Sequence, residues 1–153
     1  MEEGQKFPEF SLPDQDGNEQ TLSDLAGDEG LILYVYPKDD TPGCTVEAKD
    51  FRDMLGEFQE EGYSVAGLSK DDAASHEKFR GKYDLNFSLL TDADGSFLEE
   101  TGAWGEKNMY GRKSMGIIRS TYVIAADGTL LKEFRNVRAK GHAERVLRDV
   151  REL

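Results

Sequence analysis

The chain has a single cysteine, Cys44, and its neighbours Thr41-Pro42-Gly43 could make it reactive. Thr41 followed by Pro42 marks a helix start: threonine can cap free backbone N–H groups, and proline at the first helical position loses nothing by lacking its own. Cys44 then falls in the first turn, at the positive end of the helix dipole, where a thiolate is favoured. Gly43 beside it lets a small ligand approach the backbone closely. Positions 44, 48, 51, 55 and 58 (Cys, Ala, Phe, Leu, Phe) recur at helical spacing, so the thiol sits where the buried face of this helix meets its N-terminus. The chemistry open to such a residue is nucleophilic and redox chemistry at sulfur.

Magnitudes add a condition. A helix N-terminus is worth about 0.3–1 kcal/mol to an anion, and one pKa unit corresponds to about 1.36 kcal/mol. The helix alone is therefore worth a unit or less to a thiol, and burial opposes it. A thiolate at neutral pH needs a nearby cation, and composition leaves open which arginine or lysine supplies it. The competing reading is an inert core residue, because a free cysteine packs as a small hydrophobe.

One cysteine excludes an intrachain disulfide, a cysteine-paired zinc site and a two-cysteine redox motif. His76 and His142 are too far apart to form a paired metal motif and are expected as exposed polar residues; no metal or cofactor is expected. A cysteine hydrolase using either histidine as base has no local motif behind it. Asp92-Ala-Asp94-Gly95 begins like a calcium loop but breaks the consensus after four residues, so a plain turn is expected. With 31 acidic against 19 basic residues the net charge is −12, which repels phosphate backbones and anionic bilayers and argues against nucleic-acid or membrane-surface binding. The opening Met1-Glu2-Glu3-Gly4 is acidic rather than basic-then-apolar, so a cytoplasmic location is expected.

The elements that must position Cys44 follow from the same pattern. Residues 31–36 are continuously apolar and rich in β-formers, a strand covered on both faces, and residues 63–68 read the same way. Helical patterns occupy about 42–60, 72–83 and 141–153, and residues 10–17 read as a short strand entering a turn. After a loop-rich middle, residues 120–125 and 130–134 flank Asp127-Gly128 as a hairpin. This order predicts one α/β domain over 1–153, a mixed central sheet with helices on both faces and an N-terminal extension, as in thioredoxin-like folds. Fold order alone does not assign a function.

Beyond these physical readings, Pro37-x-x-x-Thr41-x-x-Cys44 resembles the active-site signature of peroxiredoxins. The longer string Tyr36-Pro-Lys-Asp-Asp-Thr-Pro-Gly-Cys-Thr-x-Glu-Ala48 is similar to the peroxiredoxin Q branch, also called bacterioferritin comigratory protein. A second block agrees, Trp104-Gly-Glu-Lys-Asn-Met-Tyr-Gly111 with Gly116-Ile-Ile-Arg-Ser-Thr-Tyr122, and the likeness runs from about Gly4 to the C-terminus. The resemblance implies a thiol peroxidase in which Cys44 attacks hydrogen peroxide or an organic hydroperoxide. It implies that Arg119 is the cation stabilising the thiolate and that Thr41 offers its hydroxyl. Pro37 would shield the pocket, Pro42 and Gly43 would contribute to peroxide binding, and Glu47 would help fix the arginine. It implies a monomer, with a dimer as the alternative.

The sequence departs from that branch in one respect. Its members commonly carry a resolving cysteine five residues after the first or in the following helix, and here those places hold Lys49 and about Arg80. A one-cysteine cycle is implied, with the reductant an external thiol: thioredoxin, glutaredoxin or a small thiol. A peroxide sensor that forms mixed disulfides through Cys44 is the alternative reading.

Overall fold

The computed structural model describes residues 1–153 apart from the side chain of Met109. Its first strands, β1 (Ser11–Pro13) and β2 (Glu19–Thr21), pair antiparallel into a small ribbon, followed by α1 (Leu22–Leu25). Then come β3 (Gly30–Val35), α2 (Pro42–Glu60), β4 (Tyr63–Ser69), α3 (Ala73–Tyr83), β5 (Ser88–Thr91) and α4 (Ser96–Thr101). A hairpin of β6 (Trp104–Met109) and β7 (Arg112–Ile117) precedes β8 (Ser120–Ala125), β9 (Leu130–Arg135) and α5 (His142–Arg151).

The central sheet has the order β5-β4-β3-β8-β9, with β3 parallel to β4 and antiparallel to β8. Every residue of β3 is buried, as its unbroken apolar run requires of a strand covered on both faces. Alternation along the strand separates two cores. Ile32 and Tyr34 face Cys44, Ala48, Phe51 and Phe58 of α2, Phe79 of α3 and Val146 of α5. Leu31, Leu33 and Val35 face Phe97 and Leu98 of α4, Phe7 and the N-terminal segment. Helices thus cover both faces of a mixed sheet, as expected of a thioredoxin-like fold.

The middle of the chain is less irregular than its sequence suggests. Residues 88–117 form β5, α4 and the β6–β7 hairpin. β5 is only four residues long, too short to show a period, and β7 is exposed through its first four residues, so neither carries a strong hydrophobic pattern. The Asp92–Gly95 segment is a turn opening α4: the Asp92 carboxylate accepts from the Leu98 amide and that of Asp94 from the Ser96 amide and hydroxyl. Among the described residues no helix is long and apolar enough to cross a membrane.

Candidate active site at the start of the second helix

The site forms where the C-terminal end of β3 turns into α2. Residues 36–41 make this link, with Asp40 in the left-handed region (φ 57°), which a short polar side chain tolerates. Thr41 occupies the N-cap position in extended geometry and Pro42 is the first helical residue, as the sequence predicts. The threonine hydroxyl does not cap, however. It donates to the Lys38 carbonyl at 2.9 Å, and among the described residues no side chain caps α2. The first helical hydrogen bond runs from the Thr45 amide to the Thr41 carbonyl, so the amides of Gly43 and Cys44 lie among the N-terminal groups with no partner inside the helix.

Cys44 is 1% exposed, at the top of the apolar stripe that its spacing predicts. Facing it is Arg119, in the two-residue link between β7 and β8. The sheet register explains the meeting: Val35 at the end of β3 pairs with Ser120 at the start of β8, so residue 119 lies just beyond the strand end from which the α2 link departs. The guanidinium bridges two acids. Its Nη2 donates to Cys44 Sγ at 3.3 Å and its Nη1 to Glu47 Oε1 at 2.6 Å. Gly43 lies against the same group: a Cβ there would stand 3.2 Å from Arg119 Nη2, tight enough to displace it. Pro37 is half-buried in the link itself.

Glu47 is fully buried, and its second oxygen, Oε2, has no hydrogen-bond partner among the described residues; nor has the hydroxyl of Tyr34. Burial pushes the Glu47 carboxyl up to about 7, against the charge and hydrogen bond of Arg119 and with a smaller push from Asp50. Burial also works against the charge of Arg119, but Glu47 and Cys44 outweigh it and hold the guanidinium above its ordinary value. One firmly charged arginine is therefore shared by two acids in a space that disfavours a second negative charge.

The proton on Glu47 has a consequence for stability. A carboxyl raised from about 4.5 unfolded to about 7 folded leaves its favourable contribution intact below 4.5; that contribution is lost as pH rises through 7. The loss is on the order of 3 kcal/mol. Glu47→Gln is expected to remove this decline, so urea midpoints of variant and unaltered protein should diverge between pH 5 and 8, the variant becoming relatively more stable. Parallel pH profiles would contradict it. His142 acts on the acid side: burial first, then Arg145 and Arg119, lowers it to about 4, and that stability is lost as pH falls from 6.5 through 4.

The histidines depart from expectation. Both are buried rather than exposed, His76 at 0% and His142 at 1%. His142 lies 2.8 Å through Nε2 from the Thr121 hydroxyl, with Phe51 and Phe134 packed edge-on against its ring. His76 joins Asp39 and Asp71 in a cluster whose ligand-type atoms lie within 4.8 Å of one another. The facing oxygens of that cluster already accept hydrogen bonds from Tyr36, Ser75, Ser69 and the Asp39 amide, so it reads as a hydrogen-bond network rather than a cation site. Tyr34, stacked on Phe51 at 4.6 Å between centroids, is the aromatic floor that sequence reasoning missed; burial, and then Glu47, keep its phenol protonated.

Comparison with known proteins bears on this geometry. Residues 3–132 match the model of the AhpC/TSA family. The chain is 47% identical over 147 residues to the bcp protein of Helicobacter pylori, covering 96% of each. It is 40% identical over 153 residues to peroxiredoxin Bcp of Bacillus subtilis, covering 100% of this chain and 97% of the relative. Among solved structures, peroxiredoxin Q of Xanthomonas campestris superposes with a TM-score of 0.85 at 38% identity, over 94% of this chain and 90% of that one. A lone thiol facing an arginine at a helix start is thus set in a chain whose relatives at 40–47% identity carry the peroxiredoxin name or its Bcp label, and we conclude that the protein belongs to the AhpC/TSA family as a thiol-dependent peroxidase of the peroxiredoxin Q/Bcp branch.

Proposed function

We propose that the protein reduces hydroperoxides through a one-cysteine cycle centred on Cys44. The observation that supports it best is the Arg119 bridge from Cys44 Sγ to Glu47, beside a helix start whose amides lack intrahelical partners. The Cys44 thiolate attacks one peroxide oxygen in line; an S–O bond forms, the O–O bond breaks, and the leaving oxygen takes a proton to depart as water or an alcohol. Arg119 and the Gly43 and Cys44 amides stabilise the charge that moves onto oxygen. Thr41, whose hydroxyl proton is directed to Lys38, offers its lone pairs to the O–H of the incoming hydroperoxide. Pro37 limits water access, and Pro42 and Gly43 shape the peroxide's seat.

Cys44 is left as a sulfenic acid. Lys49 and Arg80 stand where a resolving cysteine would act, so an external thiol condenses with the sulfenic acid, releasing water and forming a mixed disulfide. A second thiol then exchanges to regenerate Cys44. Cys44, Glu47 and Arg119 all come from one chain, which suits a monomer, and the thiol-rich cytoplasm suits the reductive half. Steady-state hydrogen peroxide consumption with thioredoxin, glutaredoxin and small thiols compared side by side tests this reading. Turnover with at least one of these thiols is expected; absence of turnover with every thiol, despite rapid oxidation of Cys44, would favour a sensor.

A further inference from the structure

The mechanism above leaves several buried ionisable groups unused, His76 and His142 among them. His76 is wholly buried on α3 and offers both ring nitrogens to oxygen atoms. Nε2 lies 3.0 Å from the Leu90 carbonyl, which can only accept, so Nε2 carries a hydrogen. Nδ1 lies 2.8 Å from Asp39 Oδ2, a contact that also needs a proton between its atoms. A neutral imidazole satisfies both only if Asp39 is protonated. Asp39 is better suited to be the partner that only accepts, because its two oxygens also accept from Tyr36 at 2.5 Å and from Ser75 at 2.8 Å, so that three donors converge on one carboxylate. The titratable groups that face His76 are Asp39 from the link, Tyr36 from the start of that link, its hydroxyl 3.4 Å from Nδ1, and Asp71 from the β4–α3 turn. Burial, then Tyr34 and Asp39, keep Tyr36 protonated and therefore a donor.

The placement of Asp39 gives this pair its significance. It lies in the 36–41 link, between Pro37 and Thr41 and five residues before Cys44. Its amide is held as well, donating to Asp71 Oδ2 at 2.9 Å. Asp40 next to it accepts from Lys82 and Tyr83 at the far end of α3, but those contacts are exposed and weaker, so the buried pair decides the position of the link. Resting on the assignment of Cys44 as the reacting residue, we propose that His76 is a positioning residue of the peroxidase site, a protonated imidazole clamped between Asp39 and the Leu90 carbonyl that holds the 36–41 link, and with it Pro37 and Thr41, in register over the sulfur. Arg119 reaches Cys44 from the link that enters β8, on the other side of β3, so the clamp acts on alignment of the peroxide rather than on the thiolate's charge partner.

Two measurements test it. In the unaltered protein at pH 7, the imidazole ¹⁵N shifts of His76 should both lie in the imidazolium range; a deprotonated nitrogen would overturn the proposal. In stopped-flow oxidation of Cys44 by hydrogen peroxide, His76→Asn and Asp39→Asn should each slow the second-order step about tenfold or more, as displaced reactive groups do. The double variant should be little worse than either single one. The thiolate absorbance of each variant should titrate as in the unaltered protein, a separation that general loosening of the fold would not produce. Equal oxidation rates in folded His76→Asn and unaltered protein would overturn the inference alone, whereas a peroxide-inert Cys44 in the unaltered protein would overturn the assignment beneath it. Should either variant unfold, the shifts of the unaltered protein still decide.

Discussion

Cys44→Ser should abolish peroxide consumption with any thiol reductant. The substitution keeps the shape of a buried side chain and removes the only atom in the protein that can be oxidised to a sulfenic acid and reduced again by a thiol. Serine at this position could still accept a hydrogen bond from Arg119, so the fold and the arginine's place should survive, and loss of activity would report on chemistry rather than collapse. Retained turnover would show that Cys44 is an inert core residue, the reading that its burial and apolar stripe would otherwise support.

Arg119→Ala has the second largest expected effect. It removes a charge-assisted hydrogen bond to sulfur, a class worth about 1.5–3 kcal/mol, and a donor aimed at developing charge, whose loss typically slows catalysis about 10²–10³-fold. Peroxide oxidation of Cys44 at neutral pH should fall about 10²-fold or more. The midpoint of the thiolate absorbance at 240 nm should move upward by more than one pH unit, so part of the loss should be recovered in alkali. Arg119→Lys should be intermediate, since an ammonium keeps the charge but cannot reach Cys44 and Glu47 with two fixed N–H arms. An alanine variant with an unchanged rate and midpoint would assign the thiolate's cation elsewhere.

How far the site was legible in the sequence depended on the range of the contacts that build it. The helix start at Thr41-Pro42, the burial of Cys44 and the strand before it are local signals, and all appear where the pattern places them. Arg119 is 75 residues from Cys44 and meets it only through the β3–β8 register, which no spacing encodes; family resemblance pointed to it. Glu47 could have been read as buried: three residues after Cys44 and four before Phe51, it lies on the same helical face, but its charge masks the pattern. The histidines show the reverse failure. Polar residues default to the surface, and nothing near His76 in sequence announces that Asp39 and the Leu90 carbonyl will satisfy both its nitrogens in the core. Thr41 shows that a position can be right while its bond is not: it stands at the N-cap, yet its hydroxyl turns back to Lys38 and leaves the helix start uncapped.

The most direct test of the central claim is a single-turnover experiment on the reduced protein. One equivalent of hydrogen peroxide should convert Cys44 to a sulfenic acid, seen by mass as one added oxygen and by trapping with dimedone. One equivalent of a small thiol should then turn that species into a mixed disulfide, and excess thiol should restore the free cysteine. An unmodified Cys44 after exposure to peroxide, or a sulfenic acid that no external thiol reduces, would contradict the account.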